Sequence, residues 1–181
     1  RFEDLAFADN QDQLLHLAAE SIRRKEHEGA PIYGVYDRTA NLAVREKLAP
    51  QKLKDTLRRM APLHPTAALV LPALFRQTLA QHERSLFSFL TSEYQDGFGA
   101  FLRETQLQKP DRPVFYRLDF LYDFLVATLG PALYTGPSGK RWAEMEQSLN
   151  RLNADDPPLV SRIVKVVGLL SQFGTKELRA E

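Results

Sequence analysis

The side chains able to do chemistry are few and widely spaced. The four histidines, His16, His27, His64 and His82, form no His-x-x-x-His pair, the spacing that sets two imidazoles on one helical face for a zinc ion. His27-Glu28 and His82-Glu83 lack the second histidine of a zinc-protease motif. His16, His27 and His82 read as solvated helix residues. His64 differs, because Pro62 and Pro65 hold it at a turn; it is either a hydrogen-bonded turn residue or part of a site. Asp119 and Asp123 share a helical face at i, i+4, a spacing that holds a cation or, more simply, pairs each carboxylate with a neighbouring Arg or Lys. Glu144 and Glu146 flank Met145 and point apart. Cysteine is missing altogether, which removes disulfides, thiolate metal sites and cysteine nucleophiles together and agrees with a reducing, cytoplasmic setting. With no Ser/His/Asp arrangement to assemble, the sequence nominates no catalytic residue and no metal-ligand set.

Anion binding is the other chemistry to test. The run Gly136-Pro137-Ser138-Gly139-Lys140 looks superficially like a phosphate loop. A Walker A loop needs Gly-x-x-x-x-Gly-Lys-Ser/Thr, so that successive amides wrap the phosphates and the hydroxyl reaches magnesium. Here Tyr134 stands at the first glycine position and Arg141 at the hydroxyl position, and no buried strand precedes the loop. It reads as a helix–helix connection. Two basic surfaces remain: Lys52, Lys54, Arg58 and Arg59, and separately Lys140, Arg141 and Arg151. The first is a candidate nucleic-acid contact, set against the ordinary reading of a solvated helix face. Arg84 sits where polar Gln81 and Glu83 run into apolar Leu86, Phe87, Phe89 and Leu90. A guanidinium at such a border needs an acceptor, either a carboxylate inside the fold or a phosphate from outside.

These residues have to be positioned by a chain of 181 residues, enough for one domain with a real core. Hydrophobic residues make up 44%, which argues for a globular chain, and the net charge of +1 argues against a whole-domain field for nucleic acid. No apolar run approaches the ~20 residues needed to span a bilayer; the longest, residues 67–75, carries Pro72. The chain opens Arg1-Phe2-Glu3-Asp4, without a signal-peptide pattern, and reads as an internal excerpt or a processed product.

The hydrophobic period is helical nearly throughout, predicting an all-α, irregular bundle of about seven to nine helices without significant sheet. The first helix is expected from Asn10 to Gly29. A loop follows up to Asn41, with residues 31–36 its only strand-like stretch. Residues 42–48 and a basic helix opened by Pro50 and reaching Met60 come next, the latter burying Leu53, Leu57 and Met60. Pro62 and Pro65 break the chain. Pro72 is expected to split residues 66–90 into two helices, and Gly97 and Gly99 to weaken a helix over 94–104 by roughly 1 kcal/mol each relative to Ala. Residues 106–113 form a loop. The remaining helices are placed at 115–129, at 140–152, and from the Asp155-Asp156-Pro157 start to Gly174. The organisation is an N-terminal helix and loop (1–40), a helical subdomain with the His64 to Leu90 motif (41–107) and a C-terminal helical subdomain (108–181).

Several of these pieces resemble a region of large bacterial P-loop ATPases, of the AAA-like type found in phage-defence loci. They are Leu63-His64-Pro65-Thr66, Leu71-Pro72, Gln81-x-Glu83-Arg84-Ser85-Leu86-Phe87-Ser88-Phe89-Leu90, Leu121-Tyr122-Asp123-Phe124-Leu125, Arg141-Trp142-Ala143-Glu144-Met145-Glu146 and the run from Arg162 to Leu170, and they cover about residues 60–172. The resemblance implies a helical lid or connector following a nucleotide-binding core, non-catalytic by itself, with ATP and Mg held by that core. It also implies nucleotide contacts from Arg84 and His64, and a partner that is the remainder of the larger ATPase. Walker A and Walker B are both missing from this chain, so it would not hydrolyse ATP alone. The other readings are a freestanding helical module that binds a protein partner, and a nucleic-acid contact domain working through Lys52 to Arg59.

Overall fold

The computed structural model describes residues 11–22, 30–46, 53–78, 85–108, 114–135 and 137–173. They form an all-α bundle: α1 (Gln11–Ser21), α2 (Ala30–Arg45), α3 (Leu53–Arg59), α4 (Pro65–Thr78), α5 (Ser85–Thr91), α6 (Phe98–Gln108), α7 (Leu118–Leu129), α8 (Gly139–Asn150) and α9 (Pro158–Phe173). A 3₁₀ turn, Gly130–Tyr134, joins α7 to the α8 side. Among the described residues the only β pairing is a single parallel bridge between Leu63 and Tyr116. No described helix is long and apolar enough to cross a membrane.

One buried cluster runs from Leu15 to Leu169 and draws on all three sequence segments. Leu53 and Leu57 of α3 and Met60 just past its end are buried at the expected spacing of four and three. The residues placed in a loop before Asn41 are instead α2. Pro31 falls in its first turn, where the missing N–H costs nothing. Tyr36, Ala40 and Ala43 then bury one stripe, and the Tyr36 hydroxyl donates to the Leu63 carbonyl at 2.9 Å. Tertiary burial of that stripe outweighs the strand-like look of residues 31–36.

Pro72 does not divide its segment, since α4 continues through it to Thr78. Its ring is buried in the most apolar part of the chain, so packing offsets the ladder hydrogen bond that proline removes. The first helix is shorter than expected, ending at Ser21; the rest of the expected span, 23–29, lies outside the described residues, as does Pro50. Gly97 and Gly99 serve close approach, because a Cβ at either would come within 2.7 Å of the Ser92 carbonyl. Helix α6 therefore starts only at Phe98, after a turn closed by Gly97 N–H to the Tyr94 carbonyl at 2.8 Å.

Around this turn lies an aromatic cluster centred on Phe89, whose ring meets Phe75, Phe98, Tyr116 and Phe124 at 5.2–6.1 Å between centroids. The Tyr116 hydroxyl donates to the Asp96 carbonyl at 2.5 Å. Residues 115–117 stay extended ahead of α7 because Tyr116 gives its backbone to the 62–64 turn. Its N–H donates to the Pro62 carbonyl at 3.0 Å and its carbonyl accepts from His64 N–H at 2.8 Å. That pair of bonds fixes the start of α4 beside the start of α7.

Candidate functional site

The Leu63–Tyr116 bridge brings His64, Thr66, Arg117 and Asp119 to one place. Arg117 sets Nε and Nη2 on the Asp119 carboxylate at 2.9 and 2.8 Å, a bidentate fork suited to guanidinium geometry. From α9, Arg162 Nε reaches the same carboxylate at 3.2 Å. One turn further along α7, Asp123 accepts Lys165 Nζ at 2.6 and 2.7 Å. The i, i+4 carboxylates thus pair with cations, as the simpler sequence reading expects, and their partners on α9 clamp it to α7. Burial pushes the Asp119 carboxyl up, but the Arg117 hydrogen bonds and the charges of Arg117 and Arg162 outweigh it and hold the group below its ordinary value.

His64 is half-buried, edge-on to Phe115 at 5.6 Å. Burial, with the charge of Arg117 beside it, lowers its basicity and keeps the ring neutral. Its Nδ1 accepts the Thr66 backbone N–H at 3.3 Å and lies 2.7 Å from Thr66 Oγ1, so the neutral ring carries its proton on Nε2. His64 is both a hydrogen-bonded turn residue and part of a cleft.

That cleft, of about 350 Å³, has His64, Thr66, Arg117, Asp119 and Arg162 at its polar end and Leu159, Ile163, Val166 and Val167 along the other side. A second cleft of about 570 Å³ lies on the opposite flank of α9, between Arg141, Glu144, Met145 and Ser148 of α8 and the same Ile163 and Val167. Between them α9 presents a ridge. Leu159, Ile163, Val167 and Leu170 are 56%, 51%, 55% and 38% exposed, at helical positions i, i+4, i+8 and i+11, which form one stripe. A surface helix ordinarily buries its apolar stripe; α9 buries Leu169 and leaves a second stripe outside.

Of the other candidate residues, Lys54, Arg58 and Arg59 are not brought here. Arg84 and Lys52 lie outside the described residues. Arg58 forks onto Asp37 of α2 with two bonds of 2.7 Å, and Lys54 lies 3.4 Å from the same carboxylate. Arg59 is paired with Glu20 of α1. The basic helix thereby ties α1 and α2 to the core. The Arg58 hydrogen bond, followed by the charges around it, holds the Asp37 carboxyl below its ordinary value. Among the described residues no group of three or more His, Asp or Glu is placed to hold a metal ion. In the false phosphate loop, Gly136 lies outside the described residues, and Gly139 opens α8 packed against the Tyr134 carbonyl.

No family model, curated protein or solved structure matches the chain, so nothing in these comparisons links it to the P-loop ATPases.

Arg117, Arg162 and the outward stripe of α9 were not singled out from the sequence. The signal for the stripe is present in it: between Leu159 and Leu170, eight of twelve residues are aliphatic, more than one buried face requires. Arg162 carried no local signal, since its carboxylate partner lies 43 positions away.

Proposed function

We propose that the chain is a helical docking module that receives a protein segment along α9. The observation carrying this reading is the apolar ridge of Leu159, Ile163, Val167 and Leu170, flanked on each side by a cleft. A monomer of this size rarely keeps a contiguous aliphatic stripe in water unless something covers it. On the resemblance to P-loop ATPases, the covering segment would belong to the nucleotide-binding core of a larger protein. The chain would then be its lid or connector, with ATP and Mg bound by the core.

Photo-crosslinking tests the proposal. A benzophenone side chain placed at Val167 in the cellular protein is expected to trap a defined protein segment, while the same group at Gln147, on the exposed side of α8, is expected to trap none. Equal labelling from both positions, or none from Val167, refutes the docking role.

A further inference from the structure

The polar end of the first cleft holds more cation than anion. Among the described residues Asp119 is the one carboxylate in its lining and is only 5% exposed, whereas Arg117 and Arg162 both lean on it. A guanidinium has five N–H donors. Arg117 spends Nε and Nη2 on Asp119, and Arg162 spends Nε. Both side chains keep exposed surface at the cleft, 33% for Arg117 and 44% for Arg162, and the Arg117 guanidinium also lies over the Phe120 ring at 4.3 Å. The protonated Nε2 of His64 adds a neutral donor on the same lining. We infer that the segment docked along α9 is an amphipathic helix with an acidic residue beside its apolar stripe, and that Arg117 and Arg162 receive that carboxylate.

This inference rests on the docking proposal and adds the chemistry of the occupant. The ridge from Leu159 to Leu170 spans about 16 Å, longer than the roughly 10 Å over which a partner helix places anchors at i, i+4 and i+7. Ile163 and Val167 border both clefts, so anchors from one helix fit on either side of the ridge. A carboxylate near its start completes a two-guanidinium, two-carboxylate cluster and balances the charge. A second copy of this chain packed along α9 brings no Asp or Glu from Pro158–Phe173 and, from the cleft beside it, only Glu144, which is paired with Lys140. Charge complementarity therefore favours an acidic partner over self-association.

The test uses the full chain and a display library of 16-residue helical peptides with randomised polar and apolar positions. Peptides are selected on the wild type and counter-selected on Ile163→Glu, which keeps only those that use the ridge. Enrichment of Asp or Glu at one position next to the apolar anchors is expected. Arg162→Gln should weaken those peptides about tenfold, one charged hydrogen bond's worth, while peptides remade with Gln at the acidic position should be indifferent to it. Thermal melts establish that both variants are folded. Ridge-dependent peptides without acidic enrichment overturn this inference and leave the docking role standing. Failure to recover any ridge-dependent peptide removes both. A wild-type dimer that Ile163→Glu dissolves, seen by sedimentation, overturns the acidic partner in favour of a second copy.

Discussion

Asp119 belongs to the fold and to the candidate site at once, so its substitution reads both. Its carboxylate joins Arg117 at the start of α7 to Arg162 on α9. Asparagine keeps the shape and removes the charge, leaving two guanidinium groups facing each other across a neutral amide. Because both arginines are a third or more exposed, water softens the loss below that of a fully buried pair. Asp119→Asn is expected to destabilise the chain by about 2 kcal/mol at pH 7, read by urea unfolding. The folded carboxyl lies below its ordinary value of 3.8, so this stabilisation is complete above about pH 4 and is lost as pH falls through the lower folded value. The wild-type advantage over Asp119→Asn should accordingly shrink below pH 4; an advantage that stays constant down to pH 2 contradicts the ion-pair account. At this scale the sequence shows part of the site. The spacing of Asp119 and Asp123 and the prolines around His64 are local features and could be read directly. That Arg162 would arrive at Asp119, rather than a nearer cation, depends on how α9 docks, which no local pattern encodes.

Helix boundaries follow the same division between local and tertiary information. The basic helix α3 was legible because the stripe of Leu53 and Leu57, continued by Met60 just past its end, sits among charged residues. Helix α2 was not, because Pro31, Gly34 and the β-branched and aromatic residues between them favour other conformations locally, and only burial of Tyr36 against the Leu63 turn selects the helix. Glycines divide in the same way: the sequence marks them as weak helix formers or loop residues, and the structure makes several of them close-approach points. Gly139 and Gly168 provide the test. A Cβ at Gly139 runs into the backbone of Tyr134, whereas one at Gly168 meets the thioether of Met145. Backbone cannot retreat without moving the 3₁₀ turn, but a methionine side chain can change rotamer. Gly139→Ala is therefore expected to cost about 2–3 kcal/mol and Gly168→Ala about 1 kcal/mol or less. Chemical denaturation of the two variants decides it, and a larger loss at Gly168 would show that the α8–α9 contact is the more rigid one.

For the molecule as a whole, stability and the proposed docking fall on different sides of the same helix. The inward side of α9 contributes Leu169 to the core and ties Arg162 and Lys165 to α7. The outward side carries Ile163 and Val167, which remain about half exposed and support little of the bundle. Replacing both with glutamate exchanges β-branched residues for a better helix former and removes apolar surface from water, so folding has little to lose. The double variant Ile163→Glu/Val167→Glu is expected to unfold within about 1 kcal/mol of the wild type and to remain soluble at higher concentration. Leu121→Ala, at a fully buried position on α7, is expected to cost about 2–5 kcal/mol. Side-by-side urea titrations with light scattering separate the two effects. A large stability loss in the glutamate variant would mean that the ridge is part of the core, and that the aliphatic excess of α9 serves folding rather than a partner.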